Sequence, residues 1–218
     1  MAKRMKNKAG KAAERVLEAE AEAAERLADY EESAFVRALS LVADLGDQPP
    51  MRALCAATVA AGVFGGKPRL ARAGLRMILA HTAATEAKDF VKLRVDRRRP
   101  RSLDGQAKDA EAHKPAPGRD SSKEETSFPS GHSAGAIAVA QAYAREFPEH
   151  RGWALAGAGA LALAQIPRCA HYPTDVGAGL ALGLASEAAV DAAFEPLIAL
   201  LPEALVDAFQ LSGEEPDE

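Results

Sequence analysis

The sequence predicts an all-α protein, and three observations support this prediction. Apolar residues make up 48% of the 218 residues, much of that fraction is alanine, and aromatic residues account for only 5%. Alanine-rich, aromatic-poor chains with few β-branched runs favour helix. No segment reads convincingly as a β-strand. A chain of this length can bury one sizeable core, so we expect one helical domain, with or without a tail.

Seven helical segments are expected, and most have a clear signal at one end. The first is highly charged with a thin apolar stripe, so it is expected to be solvated or to lie on a partner or a membrane surface. The second ends at "GDQPP", the third at "GGKP", and the fourth at Pro100, because glycine and proline interrupt helices. The fifth begins behind "PSGH". The segments cover approximately residues 11–32, 35–45, 51–64, 70–95, 130–147, 152–166 and 173–201, the last interrupted near Pro196.

The remaining segments are polar or charged. The first eleven residues are basic without a following apolar core, which indicates a frayed terminus or an arm that contacts anionic lipid, and not a secretory signal. Residues 101–128 form a polar loop with a lone histidine, His113, and a loop this long is either a functional lid or disordered. We expect three parts: residues 1–34 as a basic arm and charged helix, 35–203 as the main helical domain, and 204–218 as an acidic, disordered tail.

Composition leaves the relation to the membrane open. No stretch reaches the ~18 uninterrupted apolar residues of a spanning helix, and the mean hydropathy is −0.16. The longest apolar segments, residues 53–66 and 152–166, fit buried core helices. Their alanine and glycine residues are also what closely packed membrane helices use. Taken alone, composition favours a soluble protein.

The first cluster with chemical potential is "KLRVDRRRP". Lys92 and Arg99 are seven residues apart, which is two helical turns, so both side chains can lie on one helix face. Such a pair can hold an anion, since arginine offers a bidentate fork and lysine a point charge. The alternative is a basic helix end that complements its own dipole or contacts a nucleic-acid backbone.

The second cluster is "FPSGHSAG", at the start of an apolar helix. Ser130 is a good N-cap, and Gly131 lets an anion approach the backbone closely. The free N–H groups of a helix start bind phosphate-like oxygens, and His132 would face the same anion. The alternative is an ordinary cap followed by a surface histidine.

The third cluster is "AQIPRCAHYPTDVGAG". Pro173 suits the first turn of a helix, so Asp175 lies within one turn of His171 and can accept its ring N–H. A histidine oriented by a carboxylate is a nucleophile or a base with a defined tautomer. The alternative is a His–Asp pair that serves only the structure.

Together the three clusters indicate phosphoryl transfer through histidine. One imidazole must attack phosphorus, and another must protonate the departing oxygen. Cations and N–H groups must hold the remaining phosphate oxygens.

These residues resemble the superfamily of type 2 phosphatidic acid phosphatases, bacterial non-specific acid phosphatases and vanadium haloperoxidases. Its first motif, Lys, six residues, Arg-Pro, is matched by Lys92 and the Arg99–Pro100 pair. Its second, Pro-Ser-Gly-His, is matched by residues 129–132. Its third, Ser-Arg, five residues, His, three residues, Asp, is matched in its second half by His171 and Asp175. The resemblance covers roughly residues 70–186.

The sequence departs from that family at one place. Gln165 stands where the family has arginine, and Ala164 stands where it has the preceding serine. Arg168 lies three residues further on, and positions three apart share a face of a helix. We therefore expect Arg168 to replace the missing guanidinium. The alternative is that Lys92 and Arg99 carry more of the phosphate binding.

The resemblance implies a role for each matched residue. His171 would be the nucleophile that forms a phosphohistidine, Asp175 would orient it, and His132 would be the general acid. The phosphate would be bound by Lys92, Arg99, Ser130, Gly131 and Arg168.

The resemblance also implies a fold and a substrate class. The fold would be an all-α bundle with the active site at the ends of its central helices. No metal or other cofactor is implied. The activity would be that of a metal-independent phosphatase that hydrolyses a phosphomonoester or a diphosphate. The substrate would be a phosphorylated lipid or a small phosphate ester, with a multi-pass location in the cell membrane for the lipid-handling branch.

Three alternatives remain. The first is a soluble, cytoplasmic phosphatase that acts on small phosphomonoesters and does not span the membrane. A vanadium haloperoxidase is expected to have a much longer chain. A nucleic-acid binder would use the basic segments, but it leaves "PSGH" and "HYPTD" unexplained, so no nucleic-acid partner is expected.

Overall fold

The computed structural model describes residues 2–30, 32–102, 114–118 and 126–208. It confirms the predicted all-α class. The helices are α1 Ala2–Ala28, α2 Ala34–Ala43, α3 Gln48–Phe64, α4 Pro68–Lys92, α5 Gly131–Glu146, α6 Arg151–Leu163, α7 Pro173–Ala199 and α8 Glu203–Ala208.

Helices α4, α5 and α7 form the centre of the bundle and contact one another, while α3 packs on α4 and α6 packs on α5. Helices α4 and α5 bury the most residues of the three. In α5 these are mainly alanines between Ala134 and Ala144. Helix α4 ends at the same end of the bundle where α5 and α7 begin. The three motifs of the sequence therefore meet at one end of the central helices.

Helices α5 and α7 approach closely because glycines face the contact. A Cβ atom on Gly183 would lie 2.3 Å from the carbonyl oxygen of Ala134, and one on Gly179 would lie 2.4 Å from the carbonyl oxygen of Ser130. A side chain at either position would collide with the backbone of α5. These two glycines therefore set the spacing that brings the starts of α5 and α7 together.

The opposite end of the bundle is held by ion pairs. Arg76 donates to Glu146 at 2.6 Å, to Asp191 at 2.8 Å and to Glu195 at 3.0 Å. Arg72 also donates to Glu195. Because these residues belong to α4, α5 and α7, the cluster joins all three central helices away from the motifs.

Several predicted boundaries differ from the structure. Helix α1 begins at Ala2, not near residue 11. Helix α3 begins at Gln48 and includes two prolines in its first turn, where a missing N–H removes no helical bond. Helix α7 continues through Pro196 to Ala199, so the interruption predicted there is wrong. A proline so close to the helix end disturbs only the last turn.

Two very short strands accompany the helices. Strand β1, Val95–Asp96, pairs antiparallel with β2, Ala116–Pro117. They fold the chain after α4 back towards the bundle. Most of the predicted lid, including His113, and the end of the predicted acidic tail lie outside the described residues.

One helix of the described residues is long and apolar enough to cross a membrane, namely Pro173–Ala199, and only 22% of its most apolar window is buried inside the protein. This is a weak indication of membrane association. The expectation of a multi-pass protein is not supported, since the segments around 53–66 and 152–166 do not meet the same criterion in the described chain.

Candidate active site

A pocket of about 360 Å³ opens at the end of the bundle where the motifs meet. Four of the predicted site residues with ionisable side chains line it: Lys92, Arg99, His132 and His171. Gly131 lines it as well. The remaining lining residues are Gly46, Asp47, Gln48, Pro49, His81, Thr85 and Lys88. The pocket therefore combines cations, three histidines and the start of α5.

His171 is buried, with 3% of its surface exposed. Its Nδ1 lies 2.7 Å from the carbonyl oxygen of Ser127. A carbonyl oxygen only accepts, so Nδ1 carries the proton and the lone pair is on Nε2. Burial lowers the pKa of His171 to about 4, partly opposed by Asp175 and assisted by the charge of Arg99. The imidazole is therefore neutral at pH 7, with the tautomer that a nucleophilic Nε2 needs.

Asp175 does not accept the ring N–H of His171 as the sequence suggested. Its Oδ2 is 3.9 Å from Nδ1, which is an electrostatic contact and not a hydrogen bond. The carboxylate instead accepts from the Tyr172 backbone N–H at 2.9 Å and from Arg97 at 2.5 Å. Although burial acts to raise it, the pKa of Asp175 is lowered by the neighbouring His171 and by Arg97. Asp175 is therefore an ionised carboxylate beneath the histidine.

Lys92 and Arg99 line the same pocket, but not from one helix face. Helix α4 ends at Lys92, and Arg99 reaches the pocket from the chain after β1. Lys92 is buried and donates to the carbonyl oxygen of Thr126 at 2.6 Å. Burial, followed by the charges of Arg99 and Lys88, lowers the pKa of Lys92 to about 7. A bound anion would offset this repulsion, because opposite charge favours the protonated amine.

Helix α5 begins at the pocket with the predicted cap. The Oγ of Ser130 accepts from the backbone N–H and the hydroxyl of Ser133, and Ser130 is fully buried. Ser130 thus does not line the pocket, and its side chain serves the helix start. A Cβ on Gly131 would lie 2.9 Å from the Cδ of Lys88, so the glycine gives that lysine room beside the pocket.

His132 faces the pocket from the first turn of α5. Its Nε2 lies 2.9 Å from Oδ1 of Asp47, an ion-pair distance when the ring is protonated. Burial lowers the pKa of His132, Asp47 opposes this, and the charges of Arg168 and Arg99 add to the lowering. The protonated form is therefore favoured only on the acidic side of the ordinary histidine range.

Arg168 does not lie where the sequence placed it. Helix α6 ends at Leu163, so Gln165 and Arg168 lie in a turn and the shared helix face does not exist. Arg168 donates to Asp44 at 2.9 Å and is not among the residues that line the pocket. Its charge still reaches the site, because it contributes to the lowered pKa of His132.

Gln165 has a structural role at the position of the missing arginine. It is fully buried, and its backbone oxygen accepts from the N–H groups of Ala170 and His171 at 3.2 Å and 3.3 Å. Its side chain donates to the backbone oxygen of Leu161. Gln165 therefore stabilises the turn that positions His171.

Two sets of residues at the site were not predicted. Lys88, Thr85 and His81 line the pocket from α4, and their positions four, seven and eleven residues before Lys92 put them on its helix face. That spacing was visible in the sequence. Arg97 is buried beneath the pocket and contacts Asp175, but nothing in "KLRVDRRRP" distinguishes it from its basic neighbours.

The part of the chain that the structure describes has no group of three or more His, Cys, Asp or Glu side chains placed to hold a metal ion. The cationic lining instead suits an anion of phosphate size.

Comparison with known proteins identifies the family. A family model described as the PAP2 superfamily matches residues 71–195, more than half of the chain. The chain belongs to the PAP2 superfamily. This confirms the family inferred from the three motifs, and membership supports a phosphatase-type activity on phosphate esters. No curated protein and no solved structure matched the chain.

The PAP2 match contains the motifs but not every residue that reaches the site. Gly46 and Asp47 line the pocket from the segment between α2 and α3, which precedes the matched residues. Glu20, in α1, is buried against Arg97. The N-terminal third of this PAP2 protein therefore contributes directly to the surroundings of the site.

Proposed function

We propose that this protein is a phosphatase that hydrolyses a lipid phosphate ester through a phosphohistidine on His171. The observation that carries the proposal is the hydrogen bond from His171 Nδ1 to the Ser127 carbonyl, which leaves the Nε2 lone pair in a pocket shared with Lys92 and Arg99. Neutral imidazole beside cations is the arrangement that attack on a phosphate group requires.

The first step would transfer the phosphoryl group to the protein. Nε2 of His171 attacks phosphorus and forms the N–P bond while the P–O bond to the leaving group breaks. His132 donates its proton to the departing oxygen, so an alcohol leaves. Lys92, Arg99 and the N–H groups at the start of α5 hold the phosphoryl oxygens.

The second step would restore the protein. His132, now neutral, accepts a proton from water as the water oxygen attacks phosphorus. The N–P bond breaks, inorganic phosphate leaves, and His171 regains its lone pair. Asp175 stabilises the positive charge that His171 carries while it is phosphorylated, because the carboxylate lies 3.9 Å from the ring.

A second pocket favours a lipid as the substrate. It has a volume of about 320 Å³ and is lined by residues of α3, α4, α5 and α6, where apolar side chains dominate its wall. Met51, Leu54, Met77, Trp153 and Leu161 are among them. We call it the apolar groove. Burial of a hydrocarbon chain there would be favourable by about 0.8 kcal/mol for each CH₂ group removed from water.

Residues that line the apolar groove and residues that line the polar pocket lie near one another in sequence on two helices. On α4, Met77 lines the groove and His81, one turn later, lines the pocket. On α3, Pro49 lines the pocket and Met51 the groove. This proximity is compatible with a molecule that has a phosphate head and a hydrocarbon tail, so we assign the groove to the substrate's tail.

The chemistry is tested by His171→Ala. We expect loss of hydrolysis of a soluble aryl phosphate with an unchanged circular dichroism spectrum, although the melting temperature should fall because the Ser127 carbonyl loses its buried donor. Radiolabelled substrate quenched in alkali should leave label on the wild type and none on the variant, because a phosphohistidine is labile to acid. Retained turnover in His171→Ala would refute the mechanism.

The tail site is tested by Gly157→Leu, which fills the apolar groove. Gly157 lines the groove, and a Cβ atom placed on it would meet no other atom within 4 Å, so leucine fits without a clash at its first carbon. We expect the KM for a long-chain lipid phosphate in mixed micelles to rise about tenfold, with the KM for the aryl phosphate unchanged. Gly159→Leu on the same helix is the matched control, since Gly159 is equally unobstructed and does not line the groove.

A soluble phosphatase for small phosphomonoesters is the competing function. It predicts equal kinetics for wild type and Gly157→Leu on every substrate and no preference for long chains. Recovery of all activity in the high-speed supernatant without detergent would add to that conclusion.

A further inference from the structure

The N-terminal helix α1 contributes one buried carboxylate, that of Glu20, to the base of the candidate active site. Glu20 is 5% exposed, although the acidic residues around it on α1 face solvent. Its Oε2 accepts from Arg97 at 3.0 Å and from the Thr174 hydroxyl at 2.8 Å, and its Oε1 accepts from the Thr174 backbone N–H at 2.5 Å. All three donors come from residues more than 70 positions away in the sequence. A buried carboxylate that is fully hydrogen-bonded in this way is a specific tertiary contact.

Thr174 is the second residue of α7, so its N–H is one of those that a helix start leaves without a helical partner. Glu20 satisfies this N–H from outside the helix and places a negative charge at the positive end of the helix dipole. The start of α7 is thereby attached to α1. Asp175 is the next residue, and His171 lies just before the helix.

Arg97 connects the same carboxylate to both residues. Its side chain is fully buried, donates to Asp175 at 2.5 Å and lies over the Tyr172 ring at 3.9 Å. Its backbone oxygen accepts from the Ser127 N–H at 2.7 Å. Because the carbonyl of Ser127 in turn accepts from His171, Arg97 supports the histidine through the backbone and Asp175 through its guanidinium.

We propose that Glu20 is a positioning residue of the active site, which acts through Arg97 and the start of α7 on Asp175 and His171. It divides the donors of Arg97 between two carboxylates, so that one guanidinium nitrogen is directed at Asp175. Without Glu20, Arg97 can turn away from Asp175, and the start of α7 loses its cap. The proposal rests on the proposed function, and it makes α1 part of the catalytic unit although the helix lies outside the family match.

Glu20→Gln tests this role, because the amide keeps the size of the side chain and removes its charge. We expect kcat for the aryl phosphate to fall about tenfold with KM within twofold, since Lys92 and Arg99 line the pocket and Glu20 does not. Glu22→Gln is the matched control: the same change two residues along α1, at a side chain that is 65% exposed and paired only with Arg26 among the described residues. It should leave both constants unchanged.

A second readout does not depend on turnover. The Nδ1 proton of His171, bound to the Ser127 carbonyl, should give a downfield NMR resonance that is absent in His171→Asn. We expect it to shift or broaden in Glu20→Gln and to stay in place in Glu22→Gln. If the wild type hydrolysed no phosphate ester, the proposed function would fail, and this resonance would still decide the role of Glu20.

Thr174→Val provides an independent variant in case Glu20→Gln does not fold. It removes the hydroxyl between Glu20 and Arg97, so a smaller loss of kcat, about threefold, is expected. Glu20→Gln or Thr174→Val with a lowered melting temperature but wild-type kcat and an unshifted His171 resonance would show that the contact only stabilises the fold, and would overturn the proposal.

Discussion

At the scale of single residues, the proposed mechanism requires opposite protonation states of His132 and His171. His171 must be neutral to attack, and the burial that lowers its pKa to about 4 keeps it neutral through most of the acidic range. His132 must be protonated to act as the acid, and burial lowers its pKa below the usual 6.5. Both states coexist only above the pKa of His171 and below the lowered pKa of His132. The environment of each ring therefore determines the working pH.

We predict a bell-shaped pH dependence of kcat/KM with an acidic optimum. Activity rises with pH as His171 loses its proton near pH 4, and it falls again at higher pH as His132, whose pKa is lowered by burial, loses its proton. Asp47→Asn removes the carboxylate that favours protonated His132, so the alkaline limb should move to lower pH while the acid limb stays. The measurement is a pH profile for an aryl phosphate.

Asp207→Asn, on the exposed face of α8, serves as the control for this charge change. An alkaline limb that does not move in Asp47→Asn would mean that His132 is not the acid. Movement in both variants would indicate a general charge effect.

At the scale of helices, the close approach of α5 and α7 positions the two histidines proposed to be catalytic. Gly179 and Gly183 bring the two helix starts together, and the backbone N–H of Ser130 donates to the carbonyl oxygen of Asp175 at 3.0 Å across that contact. His132 and His171 therefore depend on a spacing set by residues without side chains. A change of this spacing should affect stability and catalysis together.

We predict that Gly183→Ala destabilises the protein by about 1–3 kcal/mol, because the new methyl group would lie 2.3 Å from the Ala134 carbonyl oxygen. Gly177→Ala, on the same helix, is the matched control. Its Cβ meets no atom within 4 Å, so a gain of about 0.5–1 kcal/mol from the better helix propensity is expected. Urea unfolding measures both, and equal effects at the two positions would contradict the glycine contact.

At the scale of the whole molecule, the candidate active site and the ion-pair cluster of Arg72 and Arg76 lie at opposite ends of one bundle. Arg72 and Lys92 are twenty residues apart on α4, which corresponds to about 30 Å along the helix. One end holds the pocket, and the other holds the ion pairs of Arg72 and Arg76 with α5 and α7. Because of this separation, a substitution in the ion-pair cluster does not directly contact the residues of the pocket.

We predict that Arg76→Met lowers the free energy of unfolding by about 3 kcal/mol, because Glu146 and its neighbours lose a buried partner. This is the lower part of the usual range, since Glu195 remains half exposed to water. The KM for an aryl phosphate should be unchanged well below the melting temperature. A KM increase of tenfold or more in the folded variant would show that the two ends are coupled.

Much of the site was predictable because its chemistry depends on residue type and local order. Lys92, Arg99, Gly131, His132 and His171 were all predicted, and all line one pocket. Lys88 and His81 could have been added from their spacing on α4. Arg168 was placed on a helix that ends before it, since helix boundaries depend on packing that the local sequence does not record.

By itself, the sequence of this protein determined the helical class, the family and most of the ionisable side chains proposed for the site, because composition and short motifs are local properties. The tertiary structure decided which acceptor receives the His171 proton, why Asp175 turns to Arg97, and how Glu20 reaches the site from 154 residues before Thr174. These choices are made by contacts between distant segments. Competition among buried donors and acceptors is resolved only when all of them are brought together in one place.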